Sequence, residues 1–252
     1  MLRPPVKSCA ADSLPVMRMR WVVVTGTIRA VAEVDEEVAS RAFGTTETVA
    51  LGGWPGATNG RAWGSHAAFA ADVEAGAVPD DVRVVMYDPE GWERTPLEER
   101  LDPIGSIQAF GALARSKGYA VIVTPHANLV SVPGSPHAPR GDESREDAYL
   151  RSGIIEAAAA NADVVETQAQ KMQNDPRAYR AFVADTARLA RSANPDVQML
   201  SGLSTHPGYP ATAHMLTAAR RAVHDVVDGH YLSLAKLRLV DVATEFLRTI
   251  HD

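Results

Sequence analysis

Short apolar runs alternate with longer amphipathic segments along most of the chain. The apolar runs are rich in valine and isoleucine and lack a strict polar alternation, which is typical of strands buried on both faces. We predict strands at 21–25, 48–51, 82–87, 119–124, 162–170, 197–203 and 226–234. Each of these seven runs is followed by a segment that favours a helix.

The predicted helices begin and end at recognisable signals. Asp102-Pro103 and Asp175-Pro176 each place a capping side chain before a proline, and Thr95-Pro96 with Glu98 has the pattern of a capping box. The clearest amphipathic spacing follows Pro176, where apolar or small residues recur every three to four positions. The other helices are predicted at 28–43, 61–75, 102–118, 143–160, 211–223 and from 240 to the terminus, and 52–60 is predicted as a loop.

This repeated strand and helix order predicts an α/β fold with one parallel sheet. The even spacing and the two-sided apolar strands favour a single (β/α) TIM-type barrel over residues 21–252, with seven or eight parallel strands, after an N-terminal tail at 1–20. The eighth strand would be concealed in the tail or in a loop. An open doubly wound sheet is the structural alternative, although no GxGxxG or GxxxxGK[ST] motif follows an early strand.

Composition narrows the classes of partner. The chain has 252 residues, 46% of them apolar, and a net charge of −6, which suits a soluble globular protein. The chain has no long basic run of the kind that would indicate nucleic-acid binding. The tail also lacks the continuous apolar stretch of a signal peptide or membrane span. The single cysteine, Cys9, suits a reducing compartment. We therefore expect a cytoplasmic protein that binds a small-molecule substrate, with no nucleic-acid or membrane partner, no cofactor, and an oligomeric state left open.

The segment 82–99 carries the clearest signal for chemistry, because an apolar strand runs directly into a cluster of acids and aromatics. Asp88 and Glu90 share the parity of Val84 and Met86, so an extended backbone would aim both acids towards the same face. In parallel sheets the loops after such strands hold active sites. We predict Asp88 and Glu90 as catalytic residues; solvated loop charges are the alternative.

Other strand ends also carry polar side chains. Glu166 lies in phase with Val164, and a buried glutamate is costly unless it is paired or functional. We predict Glu166 and His126 as further catalytic residues; an ion pair between Glu166 and an arginine, or an exposed His126, is the alternative. The predicted substrate-binding residues are Trp54, Tyr87, Trp92, Thr124, Gln168, Gln170, Ser201, His206, His230 and Tyr231.

Two further expectations concern the same rim. Asp88, Glu90, Glu166 and His126 are ligand types for hard cations, but no HExxH, DxD or His-x-His motif accompanies them, so no metal site is predicted. The long irregular segment 125–142 contains prolines and glycines, and we expect it to fold over the pocket mouth as one of the more mobile parts of the chain.

Three motifs, YDPEGWERTPLEE, VVETQAQ and LSGLSTHP, resemble a family of uncharacterised actinobacterial proteins predicted to be TIM barrels related in shape to glycoside hydrolases. The likeness spans most of the chain after about residue 45. The acidic loop also resembles the DxE arrangement of chitinase-type barrels, in which the glutamate is a general acid. That resemblance implies roles for Asp88 and Glu90, although the fuller DxxDxDxE pattern is absent.

The leading functional prediction is an enzyme that uses paired carboxylates for acid/base chemistry on a small polar substrate, with glycosidic-bond cleavage as its best-defined example. Glu166 would be the acid or the nucleophile, and Asp88 or Glu90 its partner. An isomerase, lyase or cyclase of specialised metabolism would use the same residue types. A non-catalytic barrel that binds a metabolite is the alternative of a different class.

Overall fold

The computed structural model describes residues 18–206, 211–234 and 239–251, and its strands form a closed barrel in which every adjacent pair is parallel. Each strand pairs with the next along the chain, and the last pairs with the first, Trp21 opposite His230. The described strands are β1 Trp21–Val24, β2 Thr48–Leu51, β3 Thr58–Trp63, β4 Val84–Tyr87, β5 Ala120–Val123, β6 Val164–Thr167, β7 Gln198–Ser204 and β8 Gly229–Ser233. The predicted (β/α) TIM-type barrel is confirmed, and the open doubly wound sheet is wrong.

Helices follow the strands and cover the outside of the barrel. Those described are α1 Thr25–Val34, α2 Glu36–Phe43, α3 His66–Glu74, α4 Leu97–Leu101, α5 Pro103–Ser116, α6 Arg145–Arg151, α7 Ile154–Asn161, α8 Pro176–Ala193, α9 Ala213–Val223 and α10 Val240–His251. Short 3₁₀ helices at Ala127–Ser131 and Gln170–Met172 lie in the loops after β5 and β6. None of the described helices is long and apolar enough to cross a membrane.

The eighth strand is β3, in a stretch predicted as loop and as the start of a helix. Its sequence, TNGRAW, hides the strand because the position that faces the barrel interior is a glycine. A Cβ atom on Gly60 would lie 2.6 Å from Cγ1 of Val49 and 3.2 Å from Cδ2 of Leu51, so the neighbouring strand already fills that space. Side chains of β2 fill the interior next to Gly60, so β3 has no apolar run of its own by which the sequence could reveal it.

Two separate apolar clusters hold the barrel. The inner cluster fills the interior with one layer of aliphatic side chains from successive strands, including Val22, Val49, Val84, Ile122, Val164 and Leu200. The larger outer cluster joins the opposite faces of the same strands to the helices, with Trp21, Phe43, Phe69 and Phe110 among its largest members. This two-sided burial explains why the strands read as continuous apolar runs.

The capping signals were only partly correct. As predicted, the side chains of Asp102 and Asp175 cap α5 and α8 by accepting hydrogen bonds from backbone N–H groups in the first turn. The Thr95 capping box is wrong, because the Thr95 hydroxyl donates to the Gly64 carbonyl instead and α4 begins at Leu97 without a side-chain cap. Two predicted helices, 28–43 and 143–160, are each divided in two, the first by Asp35 and the second by Gly153 in a left-handed conformation.

Some predictions fall on residues that the structure does not describe. Cys9 and most of the tail at 1–20 lie outside the described residues. The predicted strand 162–170 ends earlier, at Thr167, so Gln168 and Gln170 lie in the following loop. The boundary at residue 20 between tail and barrel stays a prediction, and β1 is the first described strand.

Candidate functional site

One polar layer closes the apolar interior at the carboxyl end of the barrel. Met86, Ile122 and Val164 are neighbours in strand register. Two residues further along these three strands come Asp88, Thr124 and Glu166, which therefore point to the same interior side of the sheet. The predicted parity of Asp88, Thr124 and Glu166 is thus consistent with the strand register.

Asp88 is held by two side-chain donors. The Thr124 hydroxyl donates to Asp88 Oδ1 at 2.6 Å, and Gln168 Nε2 donates to the same oxygen at 2.9 Å. Gln168 Nε2 also donates to the Thr124 carbonyl at 2.8 Å, which fixes the amide. Burial raises the pKa of Asp88, while these two hydrogen bonds and the charge of Arg94 offset part of the rise.

Glu90 lies on the loop after β4, and the pKa of its carboxyl group is strongly shifted. Burial, followed by the nearby Asp88 carboxylate, raises the pKa of Glu90 to about 8, against a hydrogen bond from Trp92 and the charges of Arg94 and Lys171. The Glu90 backbone N–H donates to the Thr95 hydroxyl at 3.0 Å. Glu90 is therefore largely protonated at neutral pH, as a general acid needs to be.

Glu166 is 2% exposed and is not paired with an arginine in the described part of the chain. Its Oε1 is buried and has no hydrogen-bond partner among the described residues. Burial, with Asp88 and then Glu90 adding to it, raises the pKa of Glu166 well above its ordinary value. The alternative of an ion pair with an arginine is not supported, and the raised pKa favours the protonated form of the Glu166 carboxyl.

A glycine on β7 makes room for this carboxyl. A Cβ atom on Gly202 would lie 2.4 Å from Glu166 Oε1 and 2.5 Å from Cδ of Gln170. The Gln170 amide and the Glu166 carboxyl therefore occupy the space that a side chain on β7 would take. Gly202 and Tyr231 are register partners, and burial together with Asp88, Glu166 and Glu90 raises the pKa of Tyr231.

An open cleft of about 810 Å³ lies beside this layer, with Asp88, Glu90, Trp92 and Arg94 among its lining residues. A smaller cavity of about 280 Å³ adjoins Tyr231 and Val24 on the opposite side of the barrel mouth. Glu166 lines neither cavity. Asp88, Glu90 and the exposed Glu93 are the carboxyl groups that line the cleft, and Glu166 is enclosed in the interior.

His126 is neutral at pH 7. The Asn128 backbone N–H donates to His126 Nδ1 at 2.9 Å, which leaves the ring proton on Nε2. Burial, followed by the charges of Lys171 and Arg145, lowers the pKa of His126 to about 4. In this state His126 can donate a hydrogen bond through Nε2, but it does not titrate near neutral pH.

Three predicted binding residues lie on the outer face of the sheet and are not brought to the cleft. The Tyr87 hydroxyl donates to Glu99 Oε2 at 2.8 Å, and the Tyr87 ring stacks on Phe110 at 4.8 Å. Ser201 Oγ lies 3.0 Å from His230 Nδ1, away from the interior. For β7 and β8 the sequence alternation did not decide which residues face inward, and the inward ones are Gly202 and Tyr231.

The remaining predicted residues lie on loops at the carboxyl end of the barrel. Trp54 packs partly buried against the outer cluster, and Trp92 is 58% exposed beside Glu90. His206 is exposed just after β7, where its backbone N–H donates to Ser204 Oγ. In the loop 125–142, Leu129 is fully buried, which anchors this segment; its mobility and its closure over the mouth stay predictions.

Glu99 is a structural residue that sequence reasoning missed. Its carboxylate accepts hydrogen bonds from the Ser65 hydroxyl, the His66 and Ala67 backbone N–H groups and the Tyr87 hydroxyl. Burial favours a higher pKa for Glu99, but these donors hold its pKa below the ordinary value. Glu99 thus ties the start of α3 to β4 and supports the loop that carries Asp88 and Glu90.

Sequence reasoning also missed two residues near the acids. The charge of the exposed Lys171 opposes the rise in the pKa of Glu90 and adds to the fall in the pKa of His126. The buried Tyr149 hydroxyl donates to the Pro125 carbonyl at 2.8 Å. No motif marks either of them, because their neighbours come from distant parts of the chain. Within the described residues, no group of three or more His, Cys, Asp or Glu side chains is placed to hold a metal ion.

Comparisons with known proteins give weak structural likeness and no sequence match. No family model and no curated protein matches the chain. A protein of Bacteroides thetaiotaomicron proposed to be an alpha-L-fucosidase has a TM-score of 0.49 at 12% identity, over 73% of this chain and 59% of that one. A family 51 alpha-L-arabinofuranosidase from Bifidobacterium longum has a TM-score of 0.43 at 12% identity, over 81% of this chain and 49% of that one.

The chain therefore spans only about half to three-fifths of the length of these two proteins. At such TM-scores we draw no conclusion about the reaction from either protein. The barrel rests on the strand pairing of this chain, and the resemblance to the actinobacterial family stays a prediction.

Proposed function

We propose that the protein is an enzyme that uses the carboxyl groups at the carboxyl end of its barrel for acid/base chemistry on a small, hydroxyl-rich substrate, with hydrolysis of a glycosidic bond as the reaction. The observation that carries this proposal is the placement of Asp88 and Glu90 on one cleft with unlike surroundings. Asp88 accepts two side-chain hydrogen bonds, whereas Glu90 has a pKa of about 8.

These unlike surroundings assign different roles to the two acids. Glu90 is the general acid, because it holds its proton at neutral pH and faces the cleft. Asp88 is the nucleophile or the base, because its hydrogen bonds favour the charged carboxylate and both end on Oδ1. Glycosidases divide their work between two carboxyl groups in this way.

Glu166 stays in the proposal as the third carboxyl group. A buried polar atom without a partner costs free energy, so native proteins keep few of them, and catalysis is one reason to keep one. Oε1 of Glu166 is such an atom among the described residues. Glu166 also lies in the same register layer as Asp88, and the Asp88 charge raises the pKa of Glu166. We propose that Glu166 supplies a proton to the same reaction centre.

The test is hydrolysis of two matched sets of glycosides. One set has activated aryl leaving groups, and the other set has the same sugars joined to a second sugar. Replacing Asp88 by Asn should lower turnover of both sets by roughly 10³-fold. Replacing Glu90 by Gln should reduce turnover of the disaccharides by roughly 10²-fold or more and spare the aryl glycosides, because only a poor leaving group needs protonation.

Glu98→Gln is the matched control, since Glu98 is an exposed acid on α4 of the same segment. It should leave turnover of both sets unchanged. Saturable sugar binding without turnover in the unmodified protein would favour the non-catalytic barrel, and turnover that survives Asp88→Asn would reject the proposed roles.

A further inference from the structure

A third cavity, of about 570 Å³, opens at the amino end of the barrel, opposite to the carboxyl groups. It lies where β1 and β8 begin, and both Trp21 and His230 line it. Gly229 allows the close contact here, because a Cβ atom at Gly229 would lie 2.3 Å from the Met19 carbonyl oxygen. The cavity is therefore part of the barrel's closing seam and is built from its backbone.

Four arginines line this cavity against three carboxylates. Arg191 is committed, since it pairs with Asp228 at 3.3 Å and donates to the Val226 carbonyl at 2.9 Å. The other three, Arg18, Arg20 and Arg220, form no ion pair with any of the described residues. This arrangement is unusual in a chain whose net charge is −6.

The carboxylates of the cavity do not neutralise these arginines. Asp228 is paired with Arg191, and Asp225 is held by Arg180, whose two terminal nitrogens both donate to it. Glu47 is exposed, and its backbone carbonyl accepts from the Arg20 N–H. The cavity therefore has an excess of positive charge.

Two groups that line the cavity respond to that charge. Burial, followed by Arg20 and then Arg221, lowers the pKa of Arg220. Burial, followed by Arg220, lowers the pKa of His230 to about 3. The positive charges of Arg20 and Arg220 repel each other, and this repulsion destabilises the protein when no ligand is bound. An anion between Arg20 and Arg220 would remove that repulsion.

The unmet hydrogen-bonding capacity of the cavity consists of donors. Nε of Arg220 and the indole Nε1 of the fully buried Trp21 are both buried without a hydrogen-bond partner among the described residues. Guanidinium and indole groups donate and do not accept. A ligand that satisfies them must therefore be rich in acceptor oxygens.

We propose that this cavity is a binding site for a small phosphate-bearing anion, held by Arg18, Arg20 and Arg220 and distinct from the carboxylate cleft. The guanidinium fork matches the oxygens of a phosphate in a bidentate arrangement. The volume of about 570 Å³ exceeds that of one phosphate group, so the site fits a pyrophosphate or a phosphorylated small molecule.

The test is calorimetric titration of the full chain with inorganic pyrophosphate, orthophosphate and citrate at constant ionic strength. Pyrophosphate should bind saturably and more tightly than orthophosphate or citrate. Arg220→Gln and Arg20→Gln should each weaken pyrophosphate binding about tenfold or more, because each removes a charged hydrogen bond. Both variants should fold, since each relieves repulsion, and their melting temperatures check this.

Arg188→Gln is the matched control, because Arg188 is exposed on α8 and pairs only with its helical neighbour Asp185. It should bind pyrophosphate as the unmodified protein does, and so should Glu90→Gln, which alters only the other end of the barrel. Absence of saturable binding, equal weakening by Arg188→Gln, or tighter binding of citrate than of pyrophosphate would each overturn the proposal.

Discussion

At each end of the barrel, charge-bearing groups have no ion-pair partner among the described residues, but the groups at the two ends have opposite character. At the carboxyl end, the half-buried Glu90 and the buried Glu166 have raised pKa values, and Glu90, with a pKa of about 8, is largely neutral at pH 7. At the amino end, Arg20 and Arg220 stay charged, because an arginine does not lose its proton. A carboxyl group can escape burial by protonation, whereas an arginine needs an anion. The carboxyl end is therefore suited to proton transfer, and the amino end to anion binding.

The largest expected effect comes from removing the charge that faces the cleft. Asp88→Asn should lower turnover by roughly 10³-fold, because Asn keeps the shape but cannot act as nucleophile or base. The folded state should persist, since the Thr124 and Gln168 donors still find a carbonyl oxygen. Steady-state turnover with melting temperatures on one preparation checks this. Full activity in a folded Asp88→Asn protein would show that Asp88 is neither the nucleophile nor the base.

Glu166→Gln should separate function from stability. Turnover should fall by roughly 10²-fold if Glu166 supplies a proton. At neutral pH the protein should gain about 1 kcal/mol of stability, or a few degrees in melting temperature, because the buried carboxyl costs free energy. Turnover within threefold of the unmodified protein would take Glu166 out of the chemistry.

The size of that gain depends on pH. The folded pKa of Glu166 is raised, so the folded state binds more protons than the unfolded state above the ordinary glutamate pKa. The unmodified protein therefore loses stability as pH rises from that value, and Gln at position 166 avoids the loss. Melting curves should show the two proteins converging in acid and separating progressively towards alkaline pH.

The pH dependence of turnover tests Glu90. The protonated form is the active one in our proposal, so turnover of disaccharides should fall about tenfold per pH unit above the Glu90 pKa, which is about 8. The reason is loss of the acid and not loss of folding. In Glu90→Gln this alkaline limb should vanish while the residual rate stays flat. An alkaline limb that remains unchanged in the variant would assign it to another group.

Glu99 shows that burial alone does not raise the pKa of an acid, because four donors lower its pKa. Its contribution is present above the ordinary glutamate pKa and is lost as pH falls through the lowered folded pKa. Glu99→Gln should cost about 2 kcal/mol at neutral pH, since charged hydrogen bonds are replaced by weaker ones and one is lost. Denaturant unfolding at pH 7 and pH 3 should show that cost shrinking in acid; Glu98→Gln should show no cost.

The fold was accessible from the sequence because most strands carry their own apolar run. Val84 and Val164 mark their strands directly, whereas β3 has Gly60 at the position where the neighbouring Val49 and Leu51 fill the interior. That compensation between strands is a property of the folded barrel and leaves no local pattern. The inward phase of Asp88 and Glu166 followed from simple alternation next to such runs.

The environment of the site was much less accessible. Tyr87 shares a strand end with Asp88 but faces the helices, where it meets a carboxylate on α4. Three of the four donors that lower the pKa of Glu99, on Ser65, His66 and Ala67, lie more than thirty residues earlier in the chain. Partners at such separations come together only through the fold, so no local sequence motif predicts them. The cluster of arginines at the amino end was not predicted for the same reason.

The pairing of β1 with β8 has a consequence for how the protein is made. Trp21 lies opposite His230, so β1 has no neighbour on one side until β8 has left the ribosome. During synthesis the exposed edge of β1 is open to incorrect pairing, and contacts between such distant residues form slowly. The nascent chain should therefore depend on chaperones, and the barrel can close only after β8 has been synthesised.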